Sequence, residues 1–168
     1  MNFEFYLEKL HSSETFKEFK EENKDAFPCS CFFVIDSNGI DNKQHFDYYI
    51  PSVKKMVSFQ LENKIEKVPV EILDKKIPEK ILMNYDFDFK EIEKMILDKM
   101  QQEKIKKDIQ KMLFSLQRID GRDFLIGTIF ISGLGMLKVN IDIYEKKITD
   151  FEKKSFFDMV NVLKKKKD

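Results

Sequence analysis

Few residues in this chain have types and spacings that could do chemistry. His45, Asp47 and Tyr49 alternate within the stretch from Gln44 to Ile50, so on a strand the three side chains share one face. A histidine beside a carboxylate can work as an acid–base unit. No nucleophile or oxyanion-stabilising group accompanies this pair, and the polar face of a half-exposed strand is the plainer reading. Cys29 and Cys31, the two cysteines of the chain, form a Cys-x-Cys. On a strand both thiols point the same way, which suits a mutual disulfide poorly, so two buried free thiols are expected. With one of the two histidines they would make only part of a metal site. A four-ligand zinc site shows a second Cys or His pair, so no metal or cofactor is expected. Gly133-Leu134-Gly135 lacks the remainder of a phosphate-loop signature and reads as a strand turn or bulge. No catalytic, metal or nucleotide motif rises above background.

The lysines Lys104, Lys106, Lys107 and Lys111, with the run Lys164–Lys167, are the remaining candidates. They could meet phosphates while strand aromatics stack on bases. Acidic residues interleave with them, however. Lys+Arg and Asp+Glu balance at 30 each, for a net charge of zero, which argues against a general nucleic-acid binder. A solvated charged face is expected instead. The first residues, MNFEFYLEKLHSSE, lack the basic start and apolar run of a secretory peptide. The longest uncharged apolar stretch, Phe124 to Leu137, falls short of the roughly 20 residues a spanning helix needs. A cytoplasmic protein without a membrane partner is expected.

Whatever these residues do, helices and antiparallel strands must position them. With 42% hydrophobic and 36% charged residues, the composition is that of a folded chain. At 168 residues it suits one compact unit of two halves, 1–75 and 76–168. Residues 3 to 25 carry a helical stripe of Phe3, Leu7, Leu10, Phe16 and Phe19, broken at Ser12-Ser13, where a second helix could be capped. Residues 29 to 36 (CSCFFVID) predict a strand, followed by an Asn38-Gly39 hairpin turn. Strands follow at 44 to 50, 56 to 61 and 67 to 73, and Pro69 makes the last a sheet edge. After a linker at 74 to 87, Asp88 reads as an N-cap with Glu91 three residues on. Ile92, Met95, Ile96 and Met100 continue that helix to about residue 102, and KIKKDIQKM fits either helix or strand.

The stretch from Lys111 to Glu152 predicts four strands in a meander. The first ends at the Asp120-Gly121 turn. The second, Phe124 to Ser132, is apolar on both faces and therefore central. The third carries Leu137, Val139, Ile141 and Ile143, and the fourth runs from Ile148 to Phe151 after a turn at Tyr144 to Lys147. Ser155 and Asp158 suggest the cap of a last short helix with Phe156, Met159, Val160 and Leu163. YYIPSVKKMVSF (48 to 59) and IDIYEKKITDF (141 to 151) match in outline, which hints at a repeated helix-plus-meander unit.

The helix from Phe89 to Gln102, the strand LFSLQRIDG and the hairpin KVNIDIYEKKITDF together resemble a PepSY-like domain. The whole chain is also similar to small uncharacterised archaeal proteins with FFVID near the front and LQ-x-IDG and IDIYEKKI near the back. The resemblance implies an α+β fold, antiparallel meander sheets packed on helices; with the outline match between 48–59 and 141–151, the chain is either a duplicated helix-plus-four-strand PepSY-like or cystatin-like unit or a run of generic hairpins. Secreted members of the family are associated with peptidase inhibition. That activity is not carried over, because neither a signal peptide nor an attached peptidase domain is read in this sequence.

The function expected from the residues is a non-enzymatic interaction module that binds protein or peptide through an open sheet face or edge, or pairs with a second copy. Phe46, Tyr48, Phe124 and Phe130 are its candidate surface, beside His45, Asp47 and Tyr49. A competing reading places a small ligand or substrate between helix and sheet, served by His45, Asp47 or Tyr49. A third is RNA binding through the lysine-rich segment.

Overall fold

The computed structural model describes residues 2–72 and 76–155. The elements run α1 (Phe3–Ser12), α2 (Glu14–Glu22), β1 (Phe27–Asp36), β2 (Lys43–Ile50), β3 (Lys55–Gln60), β4 (Glu66–Val70), α3 (Phe89–Gln102), β5 (Ile109–Ile119), β6 (Arg122–Ile131), β7 (Gly135–Asp142) and β8 (Lys147–Ser155). The strands form one eight-stranded sheet in the order β4-β3-β2-β1-β5-β6-β7-β8. Every neighbouring pair is antiparallel. Two meanders therefore share a sheet, joined at their first strands along a seam where Phe33 faces Phe114. The α+β architecture with an antiparallel meander sheet is the one the strand patterns predict, with Pro69 on an edge strand and Phe124–Ser132 largely inside an interior one.

The helices lie on one side of the sheet for a reason visible in their spacing. Phe3, Tyr6 and Leu10 form the buried stripe of α1, and Phe89, Ile92 and Ile96 form that of α3 together with Met100. The intervals within the two triplets are identical. Asn2 and Asp88 cap the two helices alike, accepting the N–H of Glu4 and Lys90 at 2.8 and 2.7 Å. The capping residues also meet in an isolated antiparallel bridge, and Phe3 donates its N–H to the Phe87 carbonyl at 3.2 Å. Ser13 ends α1 and caps α2, its hydroxyl accepting the Phe16 N–H at 3.2 Å, so the serine pair divides the first helical region. Phe33 of β1 meets Phe3 at 6.2 Å and Phe89 at 4.8 Å between ring centres, and Phe59 of β3 meets Phe19 at 5.0 Å. Burying each such ring contributes about 2–3 kcal/mol, and each edge-to-face pair adds roughly 0.5–1.5 kcal/mol.

Local details depart from the sequence expectations. The ambiguous KIKKDIQKM splits into a turn, with Lys104 at φ +57°, and the start of β5. β8 runs through Ser155, which was expected to cap a helix; the rest of that expected helix lies outside the described residues. The two Lys-Lys hairpins are not equivalent, because one joins β2 to β3 and the other β7 to β8. They share a backbone feature instead: Lys54 and Lys146 sit at φ +52° and +48°.

The Cys-x-Cys is the sharpest correction. The register of β1 against β2 slips between Pro28 and Ser30. A bulge there sets two consecutive side chains on one face. Cys31 stays in the core under the helices, while Cys29 leaves the alternation and lies with Ser30 on the far face, its Sγ 3.6 Å from Met56 Sδ.

Candidate functional site

The face of the sheet turned away from the helices is where large apolar side chains remain half-open. Alternation along each strand assigns its residues, and the register lines them up in rows. One row reads His45, Phe32, Ser115, Ile126, Asn140, Asp150 across β2, β1, β5, β6, β7 and β8. The next reads Lys43, Val34, Leu113, Thr128, Lys138, Glu152. A third reads Asp47, Ser30, Gln117, Phe124, Asp142, Lys147. Each row is charged or polar at its flanks; on β1, β5 and β6 the first two rows carry two apolar residues each (Phe32 and Ile126, Val34 and Leu113), and the third carries Phe124 between Gln117 and Asp142. Phe32, Leu113, Phe124, Ile126 and Thr128 are half-buried there, and Phe130 beside them is 40% exposed.

The predicted surface set divides accordingly. Phe124 and Phe130 belong to this face. Phe46 and Tyr48 do not: they point into the helix-side core, at 0% and 3% exposure, and are withdrawn from any surface. The division follows from parity, since residues adjacent on one strand cannot share a face with His45, Asp47 and Tyr49. Tyr49 is on the far face but almost fully buried, its ring 5.6 Å from that of Phe27. Leu113, Ile126 and Phe32 were missed; the same alternation marks them once the core face of each strand is known, and Val34 shares their face but is buried.

His45 and Asp47 are each engaged elsewhere. His45 Nε2 lies 2.6 Å from Glu62 Oε1, and the same oxygen accepts the Gln44 N–H at 3.2 Å. Asp47 accepts the Ser30 hydroxyl at 2.6 Å. The histidine therefore ties the loop after β3 to β2, and the aspartate ties β2 to β1.

At one corner of the face a cleft of about 310 Å³ opens between the strand ends and the linker. Cys29, Ser30, Met56, Gln117 and Arg118 line it, with Ile77, Pro78 and Glu79 of the linker. The Cys29 thiol donates to the Asp47 carbonyl at 3.4 Å, and burial, with the nearby Asp47 charge, pushes its pKa up to about 12. Burial holds the Cys31 thiol well above the ordinary range too. Nucleophilic thiols need the opposite shift, so neither sulfur is poised to attack. Among the described residues no group of three or more His, Cys, Asp and Glu side chains could hold a metal ion.

Beside the cleft lies a partly buried ionic cluster centred on the fully buried Asp123. Arg118 and Asp123 are partners across the β5–β6 hairpin. Arg118 reaches Asp123 with Nη1 at 3.3 and 3.5 Å and donates from Nη2 to the Gly121 carbonyl at 2.8 Å. Glu79 of the linker lies 4.0 Å from Arg118 Nε and accepts the N–H of Asp120 and Gly121 at 3.1 and 3.2 Å. Burial raises the Asp123 pKa; Arg118 and the Tyr85 and Tyr144 hydroxyls favour the charged form and oppose that rise, while the Asp142 charge adds to it. The cluster fastens the linker to the sheet, and Arg118 and Glu79 also form part of the cleft wall.

No family model and no curated protein matches the chain. One solved structure is similar: a protein from Clostridium difficile 630 described as a "putative lipoprotein". It aligns with a TM-score of 0.59 and 13% identity, over 84% of this chain and 91% of that one. At this identity the likeness shows the fold alone. Among the described residues no helix is long and apolar enough to cross a membrane.

Proposed function

We propose that this protein is a non-enzymatic interaction module that binds a protein or peptide partner through the open face of its sheet. One observation carries the reading: Phe32, Leu113, Phe124 and Ile126 on β1, β5 and β6 are only half-buried and Phe130 beside them is exposed, while charged residues flank them. A solvated antiparallel face ordinarily alternates to polar residues, and contiguous apolar surface of several hundred Å² marks an interaction site. The side chains that could do chemistry support the same reading, because His45, Asp47 and the Cys29 thiol serve structural contacts and Cys31 is fully buried in the core. In the C-terminal half, the order of α3 and then β5 to β8 supports the PepSY-like reading as part of this proposal.

The test is a charge placed on the face. Phe130→Glu should abolish capture of whatever the wild-type chain retains, with an unchanged melting temperature. His45→Ala should leave capture intact. Loss of a small-molecule affinity in His45→Ala, with Phe130→Glu silent, would move the function to a ligand site.

A further inference from the structure

We propose that the occupant of the open face is a second copy of this chain, in a two-fold dimer that packs the sheets face to face. This rests on the interaction-module reading above and names its partner. The first argument is area. Five strands from β2 to β7, at roughly 4.8 Å each, by about seven residues at roughly 3.4 Å, cover on the order of 600 Å² per copy. Two copies then bury about 1,200 Å², the lower end of a stable specific interface.

The second argument is shape. Extended peptides add to sheet edges and helices lie in grooves, and this sheet favours neither. The edge strand β4 carries Pro69 and packs beside α2. The other edge, β8, carries Lys147, Lys153 and Lys154, and lysines on an edge discourage strand addition. The apolar centre is a broad face of alternating side chains, which matches another sheet face at the ~10 Å spacing of sandwiches. The third argument is pattern. A two-fold interface needs one patch that complements itself, and an apolar centre with flanks of both signs (Lys43, Asp47, Lys138, Glu152) meets that need.

The test is the mass of the full chain by light scattering at tens-of-micromolar concentration, with two variants. Ile126→Lys should raise the dimer dissociation constant about 30-fold or more, the effect of losing a central contact. Leu97→Lys, on the exposed side of α3, should leave it unchanged. If Ile126→Lys does not fold, Phe130→Glu at the more exposed rim takes its place. A wild-type dimer that both face variants leave intact overturns the proposal. So does a monomer at every concentration, and hydroxyl-radical labelling of Phe32 and Phe124 then decides the broader reading. Labelled rings keep the face free for a different protein and spare the interaction module; unlabelled rings mean that the face is already covered, and both readings fall.

Discussion

Arg118→Met should destabilise this protein in a way that pH reveals. Asp123 is 0% exposed at its side chain and Arg118 23%. Methionine keeps most of the arginine's stem but leaves the carboxylate without its guanidinium. Removing one member of a buried ion pair costs about 3–5 kcal/mol, and partial exposure of Arg118 argues for the lower end, about 3 kcal/mol. For a chain of this length that lowers Tm by roughly 6–12 °C. The sign of the pH effect follows from Asp123. Its folded pKa lies above the unfolded value because burial penalises the charge. The unfolded carboxyl ionises first, so stability falls as pH rises from the unfolded pKa, near 3.9, to the folded one, and is level above it. Arg118 opposes the upward shift, so its removal lifts the folded pKa further and extends the fall to higher pH. Urea unfolding of wild type and variant should show the smallest difference near about pH 4 and a growing one toward about pH 8. Adding Asp123→Asn to the variant should remove that pH dependence. A loss below about 1 kcal/mol, or one equal at both pH values, would refute the account of Arg118 as the compensating charge.

Gly127→Ala would put a Cβ 2.6 Å from Val139 Cγ2 and 2.8 Å from Phe114 Cε1; overpacking of about 1–3 kcal/mol is expected by denaturant titration, with partial recovery when Val139→Ala is added. Asn2→Ala and Asp88→Ala should each cost about 1 kcal/mol as lost helix caps, and equal melting of variant and wild type would deny the capping role. Lys146→Gly should stabilise by roughly 0.5–1 kcal/mol, since φ +48° disfavours a residue with a Cβ; a lowered Tm would speak against it. Neither thiol should react with a disulfide reagent at neutral pH in the folded state, and release only on unfolding is the outcome that burial implies; rapid labelling without denaturant would contradict the placement of both.

Most strands could be read from the sequence because their signals are local. Alternation in residues 44 to 50 and 137 to 143 reports one buried face, and Asp120-Gly121 takes positive φ at both positions, +50° and +77°, as a tight hairpin requires. The joining of β1 to β5 had no such signal, since no local pattern couples Phe33 to Phe114. The bulge at Cys29 was equally hidden: an extra residue shifts parity without changing composition. At the candidate site, parity sets Phe46 and Tyr48 on the opposite face from His45, Asp47 and Tyr49, but which of the two faces the helices cover is decided by tertiary packing and not by the alternation itself. Arg118 and Asp123 flank the Asp-Gly turn symmetrically, so their pairing was available, but their burial came from the linker that crosses the hairpin and could not be read locally.

The seam between the two meanders has a kinetic consequence. Six of the seven strand pairings join neighbours in the chain through hairpins. Such hairpins close in about 1–10 μs. Among the named strand pairs of the described residues, only β1 with β5 must bring distant segments together, across β2, β3, β4, the linker and α3. Loop closure grows costly with separation, so the search for that one contact should dominate the folding barrier. Shortening the linker would then speed folding with little change in unfolding, whereas loosening any single hairpin would mainly hasten unfolding.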